Sequence, residues 1–409
     1  MSYKILRITN FYKEYITDYY LKNPDISSQS YDSQYQHLVD NSVEIVTSYS
    51  RFLKKLGVDA IDIITNADVL QKQWALENNM NPEIDFHTLV FNQIKKNKPD
   101  VVWIDDARLM DKKWLIELRG KVPSLKLLVG HICAPYNSTM CESFTSFDIL
   151  FTCTPCLQKE LSTFGVRTEL LYHGFNHSIL DTIGSETQNS KKIELIFTGS
   201  LYTGFGFHKS RIEFIEAMIR QGVSVKMFGN LESESKVRMK QIMNLSMKAL
   251  KSINGHYLVD KIPVLKKYKN YGEESISYYS KQLIRSMNTP VFGIEMFKVL
   301  SESLICFNIH GEIAKKCAGN LRLFEATGMG TCLVTDWKEN IPDLFEPDKE
   351  IITYKNKEEC IEKISWLLAN PEEALKIGKA GQQRTLKNHT IEKRAAYLHT
   401  IFDTELSKR

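Results

Sequence analysis

Apolar residues recur along this chain in short blocks, separated by stretches of helical spacing. Ile5-Leu6-Arg7-Ile8 reads as a first strand. Apolar positions at helical spacing then predict a helix over 34–56, stopped by Gly57. Ala60–Ile64, Asp100–Ile104, Leu125–Val129, Asp148–Thr152 and Thr168–Tyr172 read as further strands, with helices predicted at 85–96 and 112–120. Buried strands alternating with longer helices predict parallel βα units with helices on both faces of a sheet.

The alternation breaks at 181–192, a run of Asp, Thr, Ile, Gly, Ser, Glu, Gln, Asn and Lys with too few apolar residues to form a core. It is the predicted linker. The pattern then restarts with a strand at Ile193–Phe197, a helix near 208–221, a strand at Val223–Phe228 and a helical segment near 234–252. Leu304–Asn308 and Thr331–Thr335 are later strands, and Ile391–Leu406 is an amphipathic run. The expected class is therefore α/β. A first Rossmann-like unit covers 1–180, a linker 181–192, a second unit 193–388, and a closing helical segment 389–409.

Composition narrows the function. The 409 residues are 43% hydrophobic and 25% charged, which excludes a mostly disordered chain or a small disulfide scaffold. Lys and Arg total 53 against 49 Asp and Glu, and a net charge of +4 does not argue for nucleic acid. No apolar run is long enough to span a membrane, and the N-terminal residues lack a signal-peptide core, so the expected location is the cytoplasm, including the inner face of the membrane. A basic, tyrosine-bearing stretch at 261–271 is the one candidate for peripheral membrane contact. The eight cysteines are then expected as reduced thiols. Cys153-Thr154-Pro155-Cys156 lacks a second CxxC or a His pair at zinc-finger spacing, so neither a structural zinc nor redox chemistry is expected of it.

In open parallel sheets ligands bind beyond the strand carboxyl ends, so polar residues just after strands are the candidates. Thr198-Gly199-Ser200-Leu201-Tyr202-Thr203-Gly204-Phe205-Gly206 joins a strand to a helix carrying His208, Lys209 and Arg211. Glycines let backbone N–H groups approach a phosphate, and Lys209 and Arg211 would neutralise it. After the strand ending at Asn308 comes His310, then a helix opening near Asn320 with Arg322 and Glu325. An Arg at a helix N-terminus suits a diphosphate, and a carboxylate one turn on can accept two ribose hydroxyls. Spaced three apart on a helix, the two side chains can also pair with each other. In the first unit, Asp105-Asp106 ends a strand, and His131 follows another, as does His173. Asp106 and His131 are the candidate catalytic bases, since carboxylates and imidazoles suit proton abstraction from a hydroxyl.

The run Asn320-Leu-Arg-Leu-Phe-Glu-Ala-Thr-Gly-Met-Gly-Thr-Cys-Leu-Val-Thr-Asp336-Trp337 resembles the C-terminal domain of GT-B glycosyltransferases, in particular the CgeB-like (spore maturation protein) branch of the group-1 transferases. The resemblance continues through 340–350, 370–373 and 381–390, includes Pro290–Phe297, and is weaker over 193–215. It implies two Rossmann-like domains with parallel sheets facing a central cleft, and a nucleotide-sugar held mainly by the second. Glu325 would bind the ribose. Gly199, Ser200 and Lys209 or Arg211 would hold the diphosphate. Asn320 and Arg322 would face the sugar or phosphate, with His310 beside them, and Phe292 would line the base pocket. Thr327 falls in the same donor motif. The implied activity is transfer of a sugar to a hydroxyl of a glycan, glycolipid or protein, without a metal or other cofactor. A nucleotide-sugar-binding scaffold or inactive homologue, and a non-hydrolysing nucleotide-sugar epimerase, are the alternatives. Retaining members carry a second glutamate eight positions before the ribose-binding one. Cys317 stands there instead, so stereochemistry and sugar identity stay open.

Overall fold

A computed structural model describes residues 2–42, 45–184, 191–204, 209–252, 271–272, 276–311 and 314–409. Among the described residues, twelve strands form two sheets, each with six parallel strands. The first holds β1 (Lys4–Thr9), β2 (Asp59–Ile64), β3 (Val101–Ile104), β4 (Leu127–Ile132), β5 (Ile149–Thr152) and β6 (Thr168–Leu170), in the order β2-β1-β3-β4-β5-β6. The second holds β7 (Ile193–Thr198), β8 (Lys226–Phe228), β9 (Met287–Asn288), β10 (Ser303–Asn308), β11 (Cys332–Asp336) and β12 (Ile352–Tyr354), in the order β12-β11-β10-β7-β8-β9. Counted from β7, this is the dinucleotide-binding order. Strand direction of addition reverses between β1 and β3 in one sheet and between β7 and β10 in the other. Each reversal opens a crevice at the strand carboxyl ends.

Central strands are buried on both faces, as β3, β4 and β10 are along their whole length. That is why their sequences read as continuous apolar runs. One face of the first sheet packs Leu6, Ile8, Val102 and Leu128 against Leu115 and Leu118 of helix Lys112–Lys121. The other face packs Ile5, Trp103 and Phe151 against Ile391, Ala395, Leu398 and Phe402. The last helix, Ile391–Leu406, thus completes the core of the first sheet after the chain has built the second. In return Phe175, Ile179 and Ile183, which follow the first sheet, pack beneath the second with Leu323 and Phe324. The two crossing segments pair where Phe175 N donates to His389 O (2.8 Å) and Ile391 N to Phe175 O (3.0 Å).

Several sequence boundaries move. The helix expected over 34–56 is two helices, Tyr31–Asp40 and Ile45–Lys55, with a break around Asn41 and Ser42. The start of the expected linker belongs to a helix, Ser178–Ile183, because Ile179 and Ile183 have an apolar face to cover. Gly184, at φ 77°, ends that helix, and 185–190 lie outside the described residues. Phe205 to His208 and the 261–270 part of the basic stretch also lie outside them. No described helix is long and apolar enough to cross a membrane.

The expectation of eight reduced thiols is corrected. Cys133 pairs with Cys153, and Cys156 pairs with Cys317, while Cys141, Cys306, Cys332 and Cys360 are free. Cys133 and Cys153 follow neighbouring strands β4 and β5, and Cys156 lies across the cleft from Cys317. Such proximity depends on sheet order, which cysteine spacing does not encode.

Candidate functional site

The carboxyl ends of the two sheets border two cavities of about 670 and 710 Å³ that share Tyr12, Tyr202, Arg211, Asn320 and Leu321. The first lies over the β7/β10 reversal and takes walls from both domains.

Its floor is the loop after β7. Gly199 N donates to Phe228 O (2.9 Å), and Gly199 has a φ of 153°. The Gly199 carbonyl lies so close to the Cα of Gly229 that a side chain there would collide with it. A glycine is required because two backbones meet at the strand ends. Helix Lys209–Arg220 brings Arg211 over this loop. Its Nη1 donates to Ser200 O at 3.4 Å, and its guanidinium lies 5.8 Å from the Phe197 ring centre. Gly199, Ser200 and Arg211 all line the cavity. The Lys209 side chain lies outside the described residues.

The opposite wall is helix Leu321–Gly328. Asn320 occupies its N-cap position, but its side chain is not the cap. Its Nδ2 donates to Asn308 Oδ1 (2.9 Å), and its buried Oδ1 has no partner among the described residues. Arg322 Nη1 lies 3.0 Å from Glu325 Oε2, and both side chains line the cavity. Burial raises the Glu325 carboxyl above its ordinary value, and the Arg322 charge opposes that rise. Phe292, the residue before helix Gly293–Ser301, closes the far side with its ring 5.6 Å from Tyr12 of the first domain.

His310 lines the second cavity. Its backbone N and its Nδ1 both lie on Asp336 Oδ1, at 2.9 and 2.7 Å. This contact fixes the ring, and Nε2 is buried without a partner among the described residues. Burial pushes the Asp336 carboxyl up, but the His310 hydrogen bond and the Lys338 charge outweigh it and hold it down at about 2.

Thr327 lies elsewhere. It is fully buried, its hydroxyl donating to Leu323 O (2.6 Å) and meeting Thr385 Oγ1 (2.6 Å), so it joins two helices and lines neither cavity. A threonine two residues past Glu325 necessarily points to another side of the helix. Asp106 also turns from the cleft. Both its oxygens accept from the Arg108 guanidinium, at 2.6 to 2.8 Å, and it lines neither cavity.

Its neighbour Asp105 is the carboxylate at the cleft. Arg7 Nη2 (2.7 Å) and Thr9 Oγ1 (2.8 Å) donate to it, and His131 Nδ1 lies 3.6 Å away. Burial would raise this carboxyl, but Arg7, His131 and Thr9 together hold it well below the carboxylate range. Arg7 is itself buried, stacked 4.6 Å from the Trp103 ring centre and shared with Asp62 at 3.7 Å. His131 is buried behind the cavity wall and lines neither cavity, its ring 6.1 Å from that of His173. His173 does line the second cavity, and burial first, with the His131 charge second, pushes it down to about 3.

Sequence reading did not find Lys240, which lines the second cavity and donates to Thr203 O (2.7 Å) and Glu232 Oε2 (2.8 Å). It sits mid-helix with no local motif. Tyr12 and Gly229 were missed as well. Gly229 alone left a signal, a glycine directly after a predicted strand.

Residues 247–400 match the family described as glycosyl transferase-like. The architecture of two facing parallel sheets is the GT-B fold. Sucrose-phosphate synthase from Thermosynechococcus elongatus superposes with a TM-score of 0.58 at 12% identity, over 100% of both chains. A glycosyltransferase from Rickettsia africae gives 0.54 at 12%, over 100% of both chains. HepE of Anabaena, solved in complex with UDP-glucose, gives 0.54 at 11%, over 98% of this chain and 100% of its own. At these identities the likeness is one of fold. No curated protein matches the sequence.

Proposed function

We propose that this chain is a glycosyltransferase of the CgeB-like branch that moves a sugar from a nucleotide-sugar donor to a hydroxyl of a glycan, glycolipid or protein. The observation that carries this reading is the partly buried Arg322–Glu325 pair, facing the Gly199-Ser200 loop across a cavity at the β7/β10 reversal. Glu325 accepts the ribose hydroxyls. Arg211, Arg322 and the N-terminus of helix Leu321–Gly328 meet the diphosphate charge, so that transfer proceeds without a divalent metal on the phosphates. Phe292 flanks the base. His310, held by Asp336, turns Nε2 toward the sugar.

The acceptor enters beside Asp105 and His173. Asp105 is the better acceptor-side group than Asp106, whose oxygens the Arg108 guanidinium occupies. An Asp105 kept anionic is a weak base and a strong hydrogen-bond acceptor, so it orients the acceptor hydroxyl. His131 positions Asp105 from behind.

The test is thermal stability against UDP, GDP and dTDP, because a ligand selective for the native state raises its apparent stability. UDP comes first, since HepE, of the same fold, was solved with UDP-glucose. Stabilisation by one nucleotide, followed by acceptor-dependent release of that nucleotide from its sugar, supports transfer. Stabilisation without acceptor-dependent release points to a scaffold or an epimerase. No response to any nucleotide overturns the reading. Added Mg²⁺ or Mn²⁺ is expected to leave turnover unchanged.

A further inference from the structure

We propose that Cys133, Cys153 and His173, when the two cysteines are thiols, form a binding site for one thiophilic divalent cation of the zinc class. The three residues follow neighbouring strands. Cys133 comes directly after β4, Cys153 directly after β5, and His173 shortly after β6. Cys133 and Cys153 follow interior strands and His173 follows the edge strand beside them, so the sheet order itself brings the three together. One ligand atom from each residue lies within 4.8 Å of the others.

The two sulfurs meet as a disulfide, with Cα atoms 5.7 Å apart. In a tetrahedral zinc site sulfurs at about 2.3 Å from the metal stand about 3.8 Å from each other. Side-chain rotation supplies that opening once the sulfurs are no longer bonded. The chemistry balances simply: two thiols and one divalent cation give a bis-thiolate complex and release two protons. The disulfide and the complex exclude each other, since both use the same sulfur electron pairs.

Two further observations point to a ligand. His131 Nε2 lies 3.3 Å from Cys133 Sγ, and its Nδ1 lies 3.6 Å from Asp105 Oδ1. A ring nitrogen beside a ligating sulfur, with a carboxylate near the other side of the ring, is the kind of outer contact that orients metal ligands. All three ligands also line the cavity of about 710 Å³. Three protein ligands then leave the fourth position open to the cavity. That is the arrangement of a site able to take water or a substrate oxygen. The CxxC motif gives no hint of this, because the site uses Cys153 while Cys156 pairs with Cys317.

The experiment uses the full chain, reduced with excess phosphine, desalted without oxygen and titrated with Co²⁺. The expected result is one Co²⁺ per chain, a sulfur-to-cobalt charge-transfer band and tetrahedral d–d bands, all displaced by one equivalent of Zn²⁺. Cys133→Ser and Cys153→Ser each remove most of the charge-transfer intensity. His173→Ala weakens binding by about tenfold or more, since losing a direct ligand costs at least as much as losing an outer contact. His173→Cys keeps the site and strengthens the band, which separates lost ligation from lost folding, and Cys141→Ser leaves the spectrum unchanged. A reduced chain that gives no charge-transfer band overturns the proposal. So does a band that survives in both Cys133→Ser and Cys153→Ser, or a Cys133–Cys153 bond that persists in excess phosphine. None of these readouts depends on sugar transfer.

Discussion

Glu325→Gln is the sharpest perturbation of the proposed donor site. The substitution keeps the shape of the side chain and one acceptor oxygen, and removes the charge that faces Arg322 at 3.0 Å. A hydrogen bond to a charged group contributes about 1.5–3 kcal/mol. Losing that charge at the ribose should therefore weaken UDP binding by about 10- to 100-fold. The partner Arg322 then stays in a site where its side chain is only 16% exposed, so stability should also fall, by up to about 3 kcal/mol. Binding is best measured by calorimetry well below the unfolding midpoint, which separates the two effects. The pH dependence provides a second readout. Burial raises the Glu325 carboxyl, so in the wild type UDP affinity should climb as pH rises through a window above the ordinary carboxyl range, then level off. Glu325→Gln should lack that climb. Wild-type affinity in Glu325→Gln, or an unchanged pH profile, would refute the assignment of this residue to the ribose.

Other outcomes follow from the same geometry. Arg211→Ala should weaken nucleotide diphosphates by about tenfold or more and the bare nucleoside little, measured by competition, because its guanidinium lies over the Gly199-Ser200 loop. Gly229→Ala should destabilise the fold by about 1–3 kcal/mol and reduce UDP binding, read by denaturant unfolding and calorimetry, since a methyl there displaces the Gly199 carbonyl. Asp62 carries a pH signature. Burial outweighs Arg7 and Ser50 and raises it from 3.8 to about 6, so its stabilising contribution is full below about 4 and is lost as pH rises through about 6. Asp62→Asn should accordingly gain about 3 kcal/mol relative to wild type between pH 4 and pH 7 in urea unfolding, and a difference that is constant with pH would count against this. The depressed Asp105 works in the opposite direction, adding stability above the ordinary carboxyl range, and is common to both proteins in that comparison.

The sequence by itself determined the class of fold and much of one cavity wall. Continuous apolar runs such as Val101–Ile104 and Leu304–Phe307 are buried on both faces, which suits parallel sheets covered by helices. Gly199, Ser200, Arg211, Asn320, Arg322 and Glu325 line one cavity because each lies just beyond a strand end or in the first turns of the following helix. Their local spacing already placed them there. Tertiary structure decided everything that depends on which strands are neighbours. It chose Asp105 over Asp106, since one residue's difference after a strand sends one carboxylate to Arg7 and the other to Arg108. It turned Thr327 away from the cleft and onto Thr385, 58 residues later. It brought Lys240 and Tyr12 to the cavities from elements with no local motif. The cysteines show the division most plainly. Spacing along the chain counts residues between sulfurs, whereas the order β4-β5-β6 and the facing of two sheets set the distances between them.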